Sequence, residues 1–339
     1  MASSTKPKGF YASNFWTDYL STQRSKLPVL ADVDDGVSDL VVRFLGGNPG
    51  NMQLQGTSTY LVGTGSSRIL IDTGEGHPQW AVNVVRYLED HDVSISHILL
   101  THWHRDHTGG VADLLAHDAD IAVHKHEPEA DQHDITDGQV FSTEGATIKA
   151  VWTPGHTTDH MCFLLEEEDA LFTGDNVLGH GFSIAEDLES YTQSLRLMQS
   201  LQCRIGYPGH GDVIRDFART ITRYIAQRES REQQVYAALL QQASSRTCRG
   251  SSYASDSSSC SDYSSADEDE DDMEQGLSIT GIGSRLYGEL SIDTATFDSA
   301  LKPLISQVLV MLAEHGKVSS KLVGMDKQRY WFARLQAIN

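Results

Sequence analysis

Short apolar runs separated by polar turns dominate residues 40–211. Val41-Val-Arg-Phe-Leu45, Tyr60-Leu-Val62, Ile69-Leu-Ile71, Ile98-Leu-Leu100, Ile121-Ala-Val123, the stretch 161–165 and Ala170-Leu-Phe172 follow this pattern, which predicts β-strands. Between them, residues 80–88 and 191–201 have the composition of helices. Mixed sheets covered by helices are the expected result. Several strands end in a polar cluster, where a rigid sheet hands over to a loop that can carry function.

Further on, Ile214, Phe217, Ala218, Ile221, Tyr224 and Ile225 recur at helical spacing and predict an amphipathic helix. Its other face carries Arg215, Arg219 and Arg223. The plain interpretation is a solvated face; the sharper one is a docking stripe for an anionic partner. The pattern breaks at 243–275, where serines, aspartates and the run Asp267-Glu-Asp-Glu-Asp-Asp272 leave few large apolar groups. Too little surface is available to offset the entropy of ordering, so a disordered linker or insertion is expected. Ser264 and Ser265 could take phosphate, although a plain solvated spacer is the simpler interpretation. Order returns at 277–290 and 297–314, where Leu301, Leu304, Ile305, Val308, Leu309 and Leu312 form a helical stripe. Residues 318–323 and 329–333 predict a hairpin across Gly324-Met-Asp-Lys327. Helices plus a ribbon make a winged-helix-like module, an arrangement that serves nucleic-acid binding, packing or dimerisation. Two units are therefore expected, 1–228 and 229–339.

The densest chemistry lies in Leu99-Leu-Thr-His102-Trp-His104-Arg-Asp106-His107-Thr-Gly-Gly110, at the end of a buried strand. In a tight loop, neighbouring side chains of this kind can converge on two adjacent points. Thr153-Pro-Gly-His156-Thr, Phe172-Thr-Gly-Asp175-Asn and Tyr207-Pro-Gly-His210-Gly each add a ligand beside a glycine, and glycine lets the backbone approach closely. Imidazole and carboxylate without thiolate suit zinc, with iron and manganese as alternatives. His160, His180 and Tyr191 are candidates to line the pocket and touch substrate; for each the alternative is a structural hydrogen bond.

Composition narrows the picture. Of 339 residues, 39% are hydrophobic and 22% charged, which is ordinary for a folded globular chain. The 26 basic and 47 acidic residues give a formal charge of -21, a field that repels nucleic-acid backbones and anionic membranes. The four cysteines show no Cys-x-x-Cys pair, so neither a disulfide framework nor a thiolate metal site is indicated. The chain start lacks the apolar run of a secretory signal and the arginines of a transit peptide, and no stretch has the roughly 18 apolar residues of a membrane span. A cytoplasmic protein is expected.

Motif order, spacing and ligand identity over residues 40–228 resemble the metallo-β-lactamase superfamily. The resemblance implies an α/β (α+β) fold, a four-layer αββα sandwich, and two zinc ions. His102, His104 and His156 would hold one metal, Asp106, His107 and His210 the other, and Asp175 would bridge. Asp72, in Ile69-Leu-Ile-Asp-Thr-Gly74, matches the family's aspartate that supports the ligands without binding metal. The metals would bring a bridging water toward neutral pKa, and Asp106 would also orient the attacking hydroxide.

Within the superfamily, the run from Thr101 to Gly110, the stretch from Asp159 and Tyr-Pro-Gly-His-Gly are similar to the lactamase-beta-2-like subfamily. Lys26-Leu-Pro-Val-Leu30, Leu45-Gly-Gly-Asn-Pro-Gly-Asn-Met-Gln-Leu-Gln-Gly56 and Thr173-Gly-Asp-Asn-Val-Leu-Gly-His-Gly-Phe182 resemble fungal thioesterases that work beside non-reducing polyketide synthases. Those enzymes release a polyketide acid, of the atrochrysone carboxylic acid type, from the acyl carrier protein. The resemblance thus implies thioester hydrolysis on a carrier-bound polyketide, in secondary metabolism. A single-strand endoribonuclease is the runner-up, opposed by the negative charge and by the absence of an inserted nucleic-acid clamp between Asp175 and His210. A non-catalytic scaffold comes third, because every ligand is present.

Overall fold

The computed structural model describes residues 27–50, 52–181, 183–247, 276–288, 297–324 and 327–334. After a short β1 (Val33–Asp34), every residue of β2 (Val41–Leu45) and β3 (Ser58–Val62) is buried. Along β3, Tyr60 and Val62 enter one core and Leu61 another. β4 (Ser67–Ile71) divides Ile69 and Ile71 from Leu70 in the same way, and β5 (Ser94–Leu100) divides Leu99 from Ile98 and Leu100. Strand side chains alternate between faces, so a strand covered on both sides reads as an unbroken apolar run. That is why these strands stand out in the sequence.

With β6 (Ala122–Lys125) and β7 (His133–Asp134), these strands form a seven-stranded sheet in sequential order. A five-stranded sheet follows, made of β8 (Val140–Thr143), β9 (Ala146–Trp152), β10 (Met161–Leu165), β11 (Ala170–Gly174) and β12 (Ile205–Pro208). Tyr60, Ile69, Ile71 and Leu99 share the inter-sheet core with Ile148, Met161, Phe163, Phe172 and Tyr207. On the far face of the first sheet, Trp80, Val84 and Leu88 of α1 (Pro78–His91) complete the second core. Two short helices, α2 (Arg105–Thr108) and α3 (Val111–His117), follow β5, and Leu114 joins the same core.

The far face of the second sheet is covered by α4 (Leu188–Ser200), which buries Leu188, Tyr191, Leu195 and Met198, and by the start of α5 (Phe217–Thr247). A Cβ on Gly206 of β12 would lie 2.7 Å from the Phe217 ring, so helix and sheet meet there at backbone distance. Helices, two sheets and helices make the αββα sandwich. α5 begins at Phe217, not at Ile214, because Asp216 accepts the Arg219 N–H at 3.1 Å as a cap and Ile214 instead pairs with Gly206.

α5 continues through residues 243–247, where the insertion was expected to begin. Residues 248–275, with Ser264, Ser265 and the acidic run, lie outside the described residues. The chain divides into two compact units, with the boundary between Ala226 and Gln227. In the second unit, α6 (Ile279–Tyr287) is capped by Ser278, a π-helical turn (Phe297–Leu301) leads into α7 (Lys302–Glu314), and β13 (Val318–Val323) pairs antiparallel with β14 (Gln328–Ala333). Ile305, Val308, Leu309 and Leu312 of α7 are buried together with Val318 and Trp331. Among the described residues no helix is long and apolar enough to cross a membrane.

Candidate metal centre

Strand ends deliver the expected residues to one place. Asp72 follows β4, Thr101 and His102 follow β5, His156 lies in the loop after β9, Asp175 follows β11 and His210 follows β12. The stretch expected to be a loop is partly helical: His104 caps α2, and Asp106 and His107 lie on it. The donor atoms fall into two groups, His102, His104, His156 and Asp175 in one and Asp106, His107 and His210 in the other. Within each group the atoms lie within 4.8 Å of one another. Asp175 faces both groups, with Oδ2 3.6 Å from His156 Nε2 and Oδ1 3.4 Å from His107 Nε2 and 3.3 Å from His210 Nε2.

Outer partners set the tautomers. His102 Nδ1 donates to the Thr101 hydroxyl at 2.9 Å, and that hydroxyl donates to Asp72 Oδ2 at 2.9 Å. The same Oδ2 accepts from His107 Nδ1 at 2.7 Å, while Oδ1 accepts the Thr101 N–H at 2.8 Å. His156 Nδ1 donates to the Ile184 carbonyl at 2.6 Å. With these protons outward, the Nε2 lone pairs of His102, His107 and His156 aim inward.

The inward atoms fit a metal. His102 Nε2 and His156 Nε2 both face His104 Nδ1, at 2.9 and 3.1 Å. A proton on His104 Nδ1 can serve only one of them, which leaves lone pairs opposed. His107 Nε2 and Asp175 Oδ1 are buried and, although 3.4 Å apart, make no well-formed hydrogen bond, a costly condition for buried polar atoms. A cation satisfies all of these atoms together, and this imidazole and carboxylate set suits zinc, manganese or iron.

Charge agrees with that fit. Burial, reinforced by His107, holds His102 well below the usual histidine range, and burial with His156 brings His104 down to about 4. Both are therefore neutral ligands at neutral pH. Burial would also discharge His107 and His210, but Asp175 overrides it, with Asp72 for His107 and Asp106 for His210. His107 is raised well above its ordinary value and His210 to about 9. Burial would raise Asp106 and Asp175 as well, yet His210 and His107 hold both carboxyls below the usual range. The carboxylates thus demand positive charge, which protons supply in the bare chain and which a divalent cation supplies to neutral imidazoles.

Close approach makes glycine necessary at two positions. A Cβ on Gly209 would lie 2.6 Å from Asp175 Oδ1 and 2.8 Å from His107 Cε1. Gly155, at φ +137°, would place a Cβ 2.3 Å from the backbone of Tyr191.

For His160 and Tyr191 the structure holds the structural hydrogen bond that stood beside the pocket-lining role. Both are fully buried. His160 Nε2 accepts the Asp175 N–H at 3.1 Å, and the Tyr191 hydroxyl donates to the Asn176 carbonyl, so both hold the Asp175 loop from behind. His180 is half-buried in that loop, where the Gly179 N–H donates to the His210 carbonyl at 2.9 Å. Sequence reasoning missed Thr101, Gln53 and Thr57. Gln53 Nε2 and Thr57 Oγ1 lie 3.4 and 3.5 Å from Asp106 Oδ2, which sets the glycine-rich 45–56 segment beside a candidate ligand. The signal for Thr101 was its place next to His102, since a threonine there can reach both an imidazole and the preceding strand. Trp103, part exposed, stands edge-on to His104 with centroids 4.4 Å apart.

Comparison with known proteins follows the same lines. The metallo-beta-lactamase superfamily pattern matches residues 53–210, a span that holds every candidate ligand. Thioesterase pkgB of Emericella nidulans is 63% identical over 315 residues, covering 91% of this chain and 93% of that protein. Lactamase-like protein aptB of the same organism is 46% identical over 331 residues, covering 97% of this chain and 98% of that protein. A beta-lactamase domain protein from Burkholderia ambifaria has the same fold, with a TM-score of 0.66 at 16% identity over 91% of this chain and 95% of that one. Similarity this high, extending over nearly the whole length, means that the chain belongs to the metallo-β-lactamase superfamily.

Proposed function

We propose that the protein is a dizinc thioesterase that hydrolyses a polyketide acid from the acyl carrier protein of a non-reducing polyketide synthase. The carrying observation is the pair of donor groups that meet at Asp175, with opposed lone pairs and buried unbonded atoms that a cation would satisfy together. The 63% identity to a protein named thioesterase supports the reaction class. Held by His102, His104, His156 and Asp175 and by Asp106, His107 and His210, two zinc ions would supply hydroxide near neutral pH and polarise the thioester carbonyl.

The chain's own residues do the rest. Asp72, through Thr101 and His107, fixes ring orientation in both donor groups. Asp106, less buried than its partners, orients the attacking water with the oxygen that faces His210 at 3.3 Å. Water adds at the carbonyl carbon, the carbon–sulfur bond breaks, and the products are a carboxylic acid and the carrier thiol. A thiolate leaves as a weak base, so no strong general acid is needed. We assign contact with the acyl chain to half-buried His180, which follows Gly179, the residue whose N–H donates to the His210 carbonyl.

The test combines metal analysis with turnover. Purified protein should hold about two zinc ions per chain, cleave a carrier-linked polyketide thioester, and lose turnover in Asp106→Ala. Zinc-loaded protein that leaves carrier-linked and small aryl thioesters intact overturns the assignment.

A further inference from the structure

We propose that the exposed arginines at the start of α5 are the docking surface for the carrier protein, where they meet a row of carboxylates on one of its helices. The inference rests on the thioesterase assignment above and adds the place of contact. Arg215, Arg219 and Arg223 are all exposed, and among the described residues none of their guanidinium groups has an ion-pair or hydrogen-bond partner. The adjacent carboxylate of Asp216 is committed to the helix cap, accepting the Arg219 N–H at 3.1 Å.

This arrangement works against the helix itself. Arg219 and Arg223 are like charges four positions apart. Arg219 stands in the first turn, where a helix prefers anions, and beyond the capping Asp216 that turn carries no acid. A chain of formal charge -21 nonetheless keeps this local cationic face unneutralised. Such a surface is best satisfied from outside.

The other side of the same helix connects it to the metal centre. Phe217 and Ile221 are buried, and the Tyr224 hydroxyl accepts the Leu178 N–H at 3.1 Å. Leu178 belongs to the loop that runs from Asp175 to His180 and is tied to His210 through Gly179. A helix is about 10–12 Å across, so a partner on the arginine face is held about one helix width from the loop that borders the ligands. A prosthetic thiol arm reaching around that loop can enter the site while its carrier stays outside. Arginines at the spacing of one helix match carboxylates at the spacing of another. A long polyanion such as RNA would instead meet the repulsive field of the whole chain.

The experiment uses the full-length, zinc-loaded protein and its R219E/R223E variant. Binding of a fluorescently labelled, phosphopantetheine-bearing carrier domain of a non-reducing polyketide synthase is read by anisotropy over a salt series, and thermal unfolding confirms that the variant is folded. Binding should weaken about 10-fold or more in the variant, with a flatter salt dependence. KM for a carrier-linked thioester should rise by the same factor, while kcat and the kinetics on a small soluble thioester stay unchanged. Equal carrier binding by both proteins overturns the proposal, as does a variant defect shared by the small thioester. Unstructured RNA bound by the wild type in place of the carrier also overturns it. Arginine-dependent carrier binding without any thioester cleavage would retain the docking surface and remove the thioesterase assignment. Small-thioester cleavage without carrier binding would do the reverse.

Discussion

Asp72 Oδ2 and His107 Nδ1 are joined by a hydrogen bond of 2.7 Å, and the same carboxylate reaches His102 through the Thr101 hydroxyl. One acid thereby orients an imidazole in each of the two donor groups. Asp72→Asn, which preserves shape and removes charge, should weaken metal binding about 10–100-fold. Thr101→Val should act in the same direction by freeing the His102 ring. Competition with a chromophoric chelator measures both, and wild-type affinity in Asp72→Asn would contradict the coupling.

Metal binding should release protons. In the bare chain Asp175 and its neighbours hold His107 well above its ordinary value and His210 at about 9, so at pH 7 both carry protons that a metal must displace. Calorimetric titration with zinc in buffers of different ionisation enthalpy should show that release, and affinity should climb as pH rises toward 9. Stability of the metal-free protein obeys the same proton linkage, with the opposite sign for His210. The part due to His210, whose folded value lies above 6.5, is complete below about 6.5 and disappears as pH rises to about 9. The part due to His104, whose folded value lies near 4, is complete above about 6.5 and disappears as pH falls toward 4. A metal-free unfolding profile that stays flat across both windows would contradict these assignments.

Gly209→Ala should abolish metal loading while leaving a folded chain. Its added methyl would meet Asp175 Oδ1 at 2.6 Å and the His107 ring at 2.8 Å, displacing the carboxylate that faces both groups. Elemental analysis of the purified variant, alongside far-UV circular dichroism, checks this outcome; full metal content would contradict it.

Tyr191→Phe separates a structural hydroxyl from a substrate contact. The hydroxyl bonds the Asn176 carbonyl inside the protein, so its removal should cost about 1 kcal/mol of stability and leave KM unaltered. A raised KM at unchanged unfolding temperature would return Tyr191 to the substrate pocket.

Strands and ligands differed in how readily the sequence disclosed them. β2, β4 and β10 are buried on both faces and read as continuous apolar runs. β9 interrupts its apolar positions with Thr147 and exposed Lys149, and β12 contains Gly206 and Pro208, so neither reads as the continuous apolar run of a strand buried on both faces. The residues proposed as ligands were conspicuous because histidine and aspartate beside glycine at strand ends is a rare pattern. For His160 and Tyr191 the sequence left two roles open, because a polar residue near a ligand looks the same in sequence whether it faces the cavity or braces it from behind. Thr101 and Gln53 carry no distinctive chemistry alone, and only the fold brings them to Asp72 and Asp106.

The most direct measurement is anomalous diffraction at the zinc edge from crystals of the zinc-loaded protein. Two peaks about 3.5–4 Å apart are predicted, one within bonding distance of His102, His104 and His156, the other within bonding distance of Asp106, His107 and His210, and both beside Asp175. Fully loaded crystals with no peak among these histidines would contradict the metal centre and the chemistry built on it.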